Sequence, residues 1–169
     1  AEAHGYFDQL RWIDERGMER VRVNNVNGKG EIVPAEALQD KSRRGYFVEG
    51  MKMKAGSVYV SPLDLNVENE KVEMPHKPMI RFAAPVYSAA GRHRGLVVIN
   101  YLGRFLTADF RDAVGDNAGR MMLLNRHGYW LSSPRQEDEF GFMFGRQSTL
   151  GARAPAVWAA MQQSDAGRL

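Results

Sequence analysis

One arginine lies within an otherwise apolar pair of predicted strands, and it constrains the fold of this chain more than any other feature. Met79–Tyr87 and Gly95–Leu102 are rich in β-branched and aromatic residues, as strands are. The polar segment Ser88–Arg94 between them contains Gly91 and predicts a turn. The two runs therefore predict a long β-hairpin, with Arg81 inside its first strand.

The register of this hairpin determines what Arg81 faces. If Tyr87 pairs with Arg94, Arg81 lies opposite Asn100, and both side chains project from the same face. A guanidinium on a mostly buried face needs an anionic partner. That partner is either a carboxylate of the chain, such as Asp64, or a ligand carboxylate, and the sequence leaves both alternatives open.

Composition restricts the classes of function. The chain has 169 residues, of which 44% are hydrophobic and 25% charged, and its net charge is +3. That length allows one large domain, or one complete domain with part of another. The absence of cysteine excludes disulfides, thiolate catalysis and cysteine-bound zinc or iron–sulfur clusters. Basic residues are dispersed among acids, with the densest cluster at Arg92–Arg94, so we expect no nucleic-acid surface.

No apolar run approaches the roughly 20 residues that cross a bilayer, and no signal segment precedes the first strand. We expect the chain to be a piece of a longer protein.

The remaining pattern alternates strands and helices. Leu10–Asp14 and Met18–Asn24 predict two strands around a turn at Asp14–Gly17. The later predictions are a loop at Val26–Gly30, a mainly helical stretch at Ala35–Lys54 broken near Ser42–Gly45, a strand at Val58–Ser61, an irregular acidic segment at Leu63–Lys77, a helix at Leu102–Val114 and a short helix around Trp158. This order indicates an α+β fold with an antiparallel sheet flanked by helices, as in PAS-like sensors.

The first turn has a counterpart further along the chain. Gly119–Ser133 again predicts two strands around a turn, here Asn125–Gly128. The second turn lies where a second copy of the same module would begin.

Several segments, in order, resemble the extracytoplasmic double Cache (PDC) sensor regions of bacterial histidine kinases and diguanylate cyclases. They are LRWIDERGMERVRV (10–23), LQDKSRRGYF (38–47), VYVSPLDLNVE (58–68), KPMIRFAAPVY (77–87) and GLVVINYLG (95–103). The resemblance implies a membrane-distal PAS-like module over residues 1–102, a connecting helix over 103–118 and a partial membrane-proximal module over 119–169. It also implies a periplasmic location, with membrane anchors outside this chain, and it leaves a homodimer open.

Amino-acid-binding members of this family are similar in placing an arginine before an aromatic pair and an aspartate on the last strand. Here Arg44 precedes Gly45, Tyr46 and Phe47 without the expected tryptophan, and the last strand carries Asn100 in place of an acid. These departures count against an amino-acid ligand.

The predicted ligand site lies between the sheet and the Ala35–Lys54 segment. The negative charge of the ligand would meet Arg81, and hydroxyl or amide groups of the chain would orient the ligand. The candidate residues are Arg44, Tyr46, Tyr59, Ser61, Asp64, Arg81 and Asn100.

Other chemistry finds no support in the sequence. The acidic run that starts at Asp64 fails the EF-hand template, since its sixth and twelfth positions are Asn69 and Pro75. The four histidines are widely separated, and no nucleophile elbow or phosphate loop is present. We therefore expect no metal, no cofactor and no catalytic residue, and we interpret Phe140–Gly145 as core.

The sequence thus favours a non-enzymatic sensor domain that binds a small anionic metabolite, such as an organic acid, and signals through the Leu102–Val114 helix. The alternatives are a ligand-free structural or dimerisation module, a hydrolase, and a cytoplasmic PAS domain that holds flavin or haem.

Overall fold

The computed structural model describes residues 5–117 and 121–163. The chain divides into two compact units, of which the first extends to Arg104 and the second begins at Phe105. No helix in the described ranges is both long and apolar enough to cross a membrane.

The strands of the first unit are β1 (Phe7–Ile13), β2 (Glu19–Val26), β3 (Lys29–Ile32), β4 (Tyr59–Val60), β5 (Asp64–Leu65), β6 (Val67–Glu68), β7 (Lys71–Val72), β8 (Pro78–Tyr87) and β9 (His93–Leu102). Its α-helix is α1 (Gly45–Gly50). The other helices are α2 (Arg104–Val114), α3 (Leu150–Arg153) and α4 (Pro155–Met161), and the second unit also contains β10 (Leu123–Leu124) and β11 (Trp130–Ser132).

The main sheet is antiparallel, in the order β3-β2-β1-β9-β8-β4, and β5 also pairs with β8. The last strand, β9, lies at the centre, between β1 and β8. β6 and β7 form a separate two-stranded sheet. The predicted α+β class with an antiparallel sheet is confirmed.

The long hairpin forms in the predicted register, with Arg81 opposite Asn100. The pairing next to its turn is different, because a bulge after Val86 places Tyr87 opposite His93 rather than Arg94. The bulge shifts one pair only, so the predicted facing of Arg81 is confirmed.

Three local predictions are wrong. The Leu63–Lys77 segment is not irregular, because it contains the short strands β5, β6 and β7. Val26–Gly30 is not simply a loop, because Asn27 and Gly28 both have positive φ and form a tight turn that joins β2 to β3. The Ala35–Lys54 stretch is helical only at Ala35–Ala37 and in α1.

Its polar middle instead binds the first hairpin through backbone groups. Lys41 N donates to the carbonyl of Gly17 (2.7 Å), and Glu19 N donates to the carbonyl of Gln39 (3.0 Å). These backbone groups are therefore not available to a continuous helix.

The inner face of the sheet is apolar at one end. Side chains of Ile13, Leu96, Val98 and Ala83 are fully buried there, and α1 covers them with Tyr46 and Phe47. The opposite face leaves apolar side chains partly exposed; they include Leu10, Trp12, Val21 and Val97.

The second unit repeats the first turn in detail. Asp14 Oδ1 accepts from the amides of Arg16 and Met18, and Asn125 Oδ1 accepts from the amides of His127 and Tyr129 in the same way. In both units a later segment bonds to the glycine of the turn. Leu150 N donates to the carbonyl of Gly128 (2.8 Å), just as Lys41 N donates to the carbonyl of Gly17.

The predicted Asn125–Gly128 turn is therefore confirmed, whereas the start of the predicted segment, at Gly119, lies outside the described residues. The assignment of the two units as membrane-distal and membrane-proximal modules stays a prediction. The helix around Trp158 is confirmed as α4. Of the Phe140–Gly145 run interpreted as core, Phe140 and Gly141 are buried and Phe142 and Met143 half-buried, but Phe144 and Gly145 are exposed, so the core interpretation holds only for the first part of the run.

Gly95 tests the register between β9 and β1 directly. It has φ +112°, and a Cβ there would collide with the carbonyl oxygen of Ile13. We expect Gly95→Ala to lower the free energy of unfolding by about 3 kcal/mol or more, through backbone strain and overpacking. Gly91→Ala is the matched control, since Gly91 also has positive φ but open space around it. Equal losses in urea unfolding would contradict the register.

Candidate functional site

The polar end of the inner sheet face carries a row of side chains across four strands. Arg81 of β8 lies opposite Asn100 of β9, Asn100 lies opposite Gln9 of β1, and Gln9 lies opposite Asn24 of β2. Asn100 donates to Gln9 Oε1 (3.2 Å). The strand register therefore builds a polar floor beside the apolar core.

A pair of arginines extends this floor. Arg11 and Arg22 are direct cross-strand partners on β1 and β2, and both are buried. Glu19 lies between them, with Oε1 3.3 Å from Arg11 Nε and Oε2 3.3 Å from Arg22 Nη1. Like charges that face each other on a sheet repel, so Glu19 is required there.

We use the term cation cluster for four basic side chains that are each at most 8% exposed: Arg11, Arg22, Lys41 and Arg81. Charges buried to this degree are tolerated only when they are paired.

Arg81 is paired within the chain. Its Nη1 is bound to Asp64 Oδ1, its Nη2 donates to Asn66 Oδ1 (3.3 Å), and its guanidinium lies 5.3 Å from the centre of the Tyr46 ring. Of the two alternatives that the sequence left open, the structure contains the internal pair with Asp64. A ligand role for Arg81 stays a prediction.

The other predicted site residues divide between two environments. Ser61 accepts from the backbone N of Arg81 (2.9 Å) and donates to the carbonyl of Pro62 (2.9 Å), so its hydroxyl fixes the strand edge. The Tyr46 hydroxyl accepts from Arg11 Nη1 (3.0 Å). Tyr59 is half-buried against the apolar core.

Thus Tyr46, Ser61, Asp64 and Asn100 gather around Arg81. Asn100 Oδ1 is buried without a hydrogen-bond partner among the described residues.

Glu68 of β6 holds the centre of the cation cluster. Its carboxylate accepts from six side chains: Oε1 from Gln9 (3.4 Å), Arg11 (3.4 Å) and Asn66 (3.3 Å), and Oε2 from Arg22 (3.4 Å), Gln39 (2.9 Å) and Lys41 (3.4 Å). One carboxylate thus contacts three of the four buried cations.

The surrounding charge controls ionisation of this group. Burial alone would raise the pKa of Glu68, but Lys41, Arg11 and Arg22 outweigh it and lower the pKa from 4.5 to about 2. Burial lowers the pKa of Lys41, and the Glu68 carboxylate offsets part of that effect. The Glu68 side chain is therefore a carboxylate throughout the neutral range.

A cavity of about 580 Å³ adjoins the cluster on the side of α1. Its basic lining residues are Lys41, Arg43 and Arg44, and Asp40 and Glu70 are its acids. Asp40 already accepts from Ser42 N (2.7 Å). A second cavity, of about 360 Å³, lies beside Gln9, Arg22 and Glu68. In the described part of the chain, no group of three histidine, aspartate or glutamate side chains could hold a metal.

Sequence reasoning identified Arg44, which lines the larger cavity, but missed Arg11, Arg22, Lys41 and Glu68. A signal for Arg11 existed: it alternates with Gln9 and Ile13, and Ile13 is a core position, so all three share the inward face.

Comparisons with known proteins agree with this architecture. A family model described as bacterial histidine kinase, sensor domain, matches residues 1–169. A search of curated proteins finds no significant match.

Among solved structures, a domain of a sensory box/GGDEF family protein from Vibrio parahaemolyticus has a TM-score of 0.81 at 20% identity, over 99% of this chain and 63% of that one. The extracellular domain of the histidine kinase vpHK1S-Z8 has a TM-score of 0.75 at 21% identity, over 96% and 58%. The ligand-binding domain of the Pseudomonas aeruginosa amino acid chemoreceptor PctC, in complex with GABA, has a TM-score of 0.55 at 17% identity, over 89% and 56%. These likenesses show the fold, and the chain spans less than two thirds of each structure.

The cation cluster predicts a specific dependence of stability on pH. Since the Glu68 pKa is about 2 in the folded chain and 4.5 in the unfolded one, the stability it adds is present above pH 4.5 and is lost as the pH falls toward 2. We expect Glu68→Gln to lower the free energy of unfolding by about 1–3 kcal/mol at pH 7. The acid limb, meaning the further loss of stability between pH 4.5 and 2, should be flatter in this variant. Urea unfolding midpoints between pH 7 and 2.5 measure it, with exposed Glu31→Gln as control. An acid limb as steep in Glu68→Gln as in the wild type would contradict the assignment.

Proposed function

The chain belongs to the sensor domains of bacterial histidine kinases, and from that premise we propose that it binds a small anionic metabolite and reports its presence to an output domain. Such domains lie outside the cytoplasm, and they sense rather than catalyse. The ligand class and the type of output are the parts that we propose.

The observation that carries this proposal is the larger cavity, whose wall presents Arg43 and Arg44 together with Lys41, the last paired with Glu68, beside the acids Asp40 and Glu70. Its volume of about 580 Å³ suits a small molecule, because ligand pockets commonly measure about 300–1,000 Å³. Basic groups on a concave wall favour a carboxylate or a similar anion.

This proposal moves the anion contact from Arg81 to the cavity wall, because Arg81 is already bound to Asp64. Arg44 is half-buried directly before α1, where the helix can fix its side-chain direction. Tyr46 and Asn100 remain with Arg81 in the polar region of the sheet, outside the lining of this cavity, and Tyr59 and Ser61 belong to the β4 edge.

The affinity expected from these contacts is consistent with a metabolite sensor. Two or three charge-assisted hydrogen bonds of about 1.5–3 kcal/mol each, less the cost of ordering the ligand and side chains, correspond to micromolar to millimolar affinity. Of the similar structures, PctC was solved with GABA, which supports small-molecule binding by this fold. Asn100 stands where the amino-acid-binding members have an aspartate, and this difference still favours an organic acid over an amino acid as the ligand.

Signalling would proceed through α2, which is joined to β9 by Gly103 alone. Binding can bias an output only if its free energy differs between two arrangements of that helix.

A ligand-free dimerisation module is the second candidate. The partly exposed apolar residues Leu10, Trp12, Val21 and Val97 on the outer sheet face favour it. In that case no small anion would bind, and self-association would depend on Trp12.

Calorimetric titration with mono-, di- and tricarboxylates and amino acids tests the sensor. We expect at least one carboxylate to bind, and Arg44→Gln to weaken it about tenfold, the contribution of one charge-assisted bond. Arg92→Gln, at an exposed turn, removes the same charge away from the cavity and should leave the affinity unchanged. Equal behaviour of the two variants, or no binding across the panel, would contradict the proposal.

A further inference from the structure

Glu68 is carried by a small element that is distinct from the main sheet. Among the described strands, β6 and β7 pair only with each other, Val67 with Val72 and Glu68 with Lys71. Asn69 and Glu70 at the tip both have positive φ, which makes a tight two-residue turn with exposed side chains. We call residues 67–72 the Glu68 hairpin.

Glu68 contacts its donors at long distances. Five of the six hydrogen bonds measure 3.3–3.4 Å, and only the one from Gln39 is as short as 2.9 Å. The donors are two guanidinium groups, one ammonium and three amides, all outside the Glu68 hairpin. This set has the donors to bind a free carboxylate as well, because nothing in it is specific to a glutamate side chain.

The Glu68 hairpin also contributes to the lining of both cavities. Asn69 of the hairpin and Gln39 line each of them, and the backbone N of Asn69 donates to Gln39 Oε1 (3.2 Å). Lys41 lines the larger cavity and also contacts Glu68. An anion that enters the larger cavity therefore meets a cation that Glu68 already neutralises.

We propose that Glu68 occupies an anion site of the sensor, that a ligand carboxylate displaces it by taking over Lys41 and its neighbours, and that the Glu68 hairpin moves as a latch when this happens. The inference rests on the proposed function and adds its regulation.

Charge balance makes this exchange feasible. Replacement of one carboxylate by another leaves the cation cluster neutralised, whereas a neutral ligand would leave Lys41, Arg11 and Arg22 short of one negative charge. The displaced Glu68 regains water at the exposed hairpin. The measured affinity of an anion then reflects the difference between the binding free energies of the ligand carboxylate and the Glu68 carboxylate at the same cations. Removal of Glu68 should therefore increase the affinity.

Chemical rescue tests the anion site without knowledge of the ligand. In Glu68→Ala the site lacks its carboxylate, so free acetate should bind there and stabilise the fold. We expect exchange of 100 mM sodium chloride for sodium acetate to raise the melting temperature of Glu68→Ala by about 3 °C or more over the wild type. Exposed Glu31→Ala, with the same charge change, should respond like the wild type. An acetate response of Glu68→Ala no larger than that of Glu31→Ala overturns the inference.

Two further measurements test the inference even if Glu68→Ala does not fold. Glu68→Gln should bind succinate about tenfold more tightly than the wild type. A fluorophore on Lys71→Cys, the one thiol in this cysteine-free chain, should respond to succinate along the binding curve. Succinate binding that depends on Arg44, with a silent label and an unchanged Glu68→Gln affinity, overturns the latch and leaves the proposed function intact. Acetate rescue in a protein whose wild type binds no carboxylate supports the anion site and contradicts the proposed function.

Discussion

Burial of positive charge on the inner face of the sheet is the constraint that organises the first unit. Arg11, Arg22 and Arg81 project inward from strands, and Lys41 reaches the same region from the segment before α1. Each costs several kcal/mol to remove from water unless an anion compensates it. Glu19 comes from β2 and Asp64 from β5, both in the main sheet, whereas Glu68 lies on the separate Glu68 hairpin. The positive charge of the sheet is therefore fully compensated only when the Glu68 hairpin has folded against it.

This arrangement separates two tasks along one surface. At the apolar end, α1 packs on Ile13, Leu96 and Val98 and supplies the stability that hydrophobic burial gives. At the polar end, stability depends on the carboxylate that neutralises the cations, and in the proposed mechanism a ligand carboxylate can take its place. A fully apolar core would offer such an anion nothing to bind.

Strand alternation and turn chemistry made part of this fold predictable from the sequence. The Arg81–Asn100 pairing and the Asp14 turn depend on local signals that tertiary contacts reinforce, so both are correct apart from one bulge. The Ala35–Lys54 helix failed because Gln39 and Lys41 bond through their backbone groups to the first hairpin. Arg11 and Glu68 were missed because an isolated charge in a strand or acidic loop looks solvated. These two charges become partners only in the folded chain, where the neighbouring strand and the Glu68 hairpin bring them together.

The ionisation of Glu68 is the most direct test of this account, since the site chemistry and the exchange both require a carboxylate held among cations. Carbon-detected NMR of the intact chain can follow the Glu68 side-chain carboxyl through an acid titration. The account predicts a midpoint near 2, well below the ordinary 4.5 of a glutamate. A midpoint near 4.5 would mean that the carboxylate is solvated and that the cation cluster is neutralised in another way.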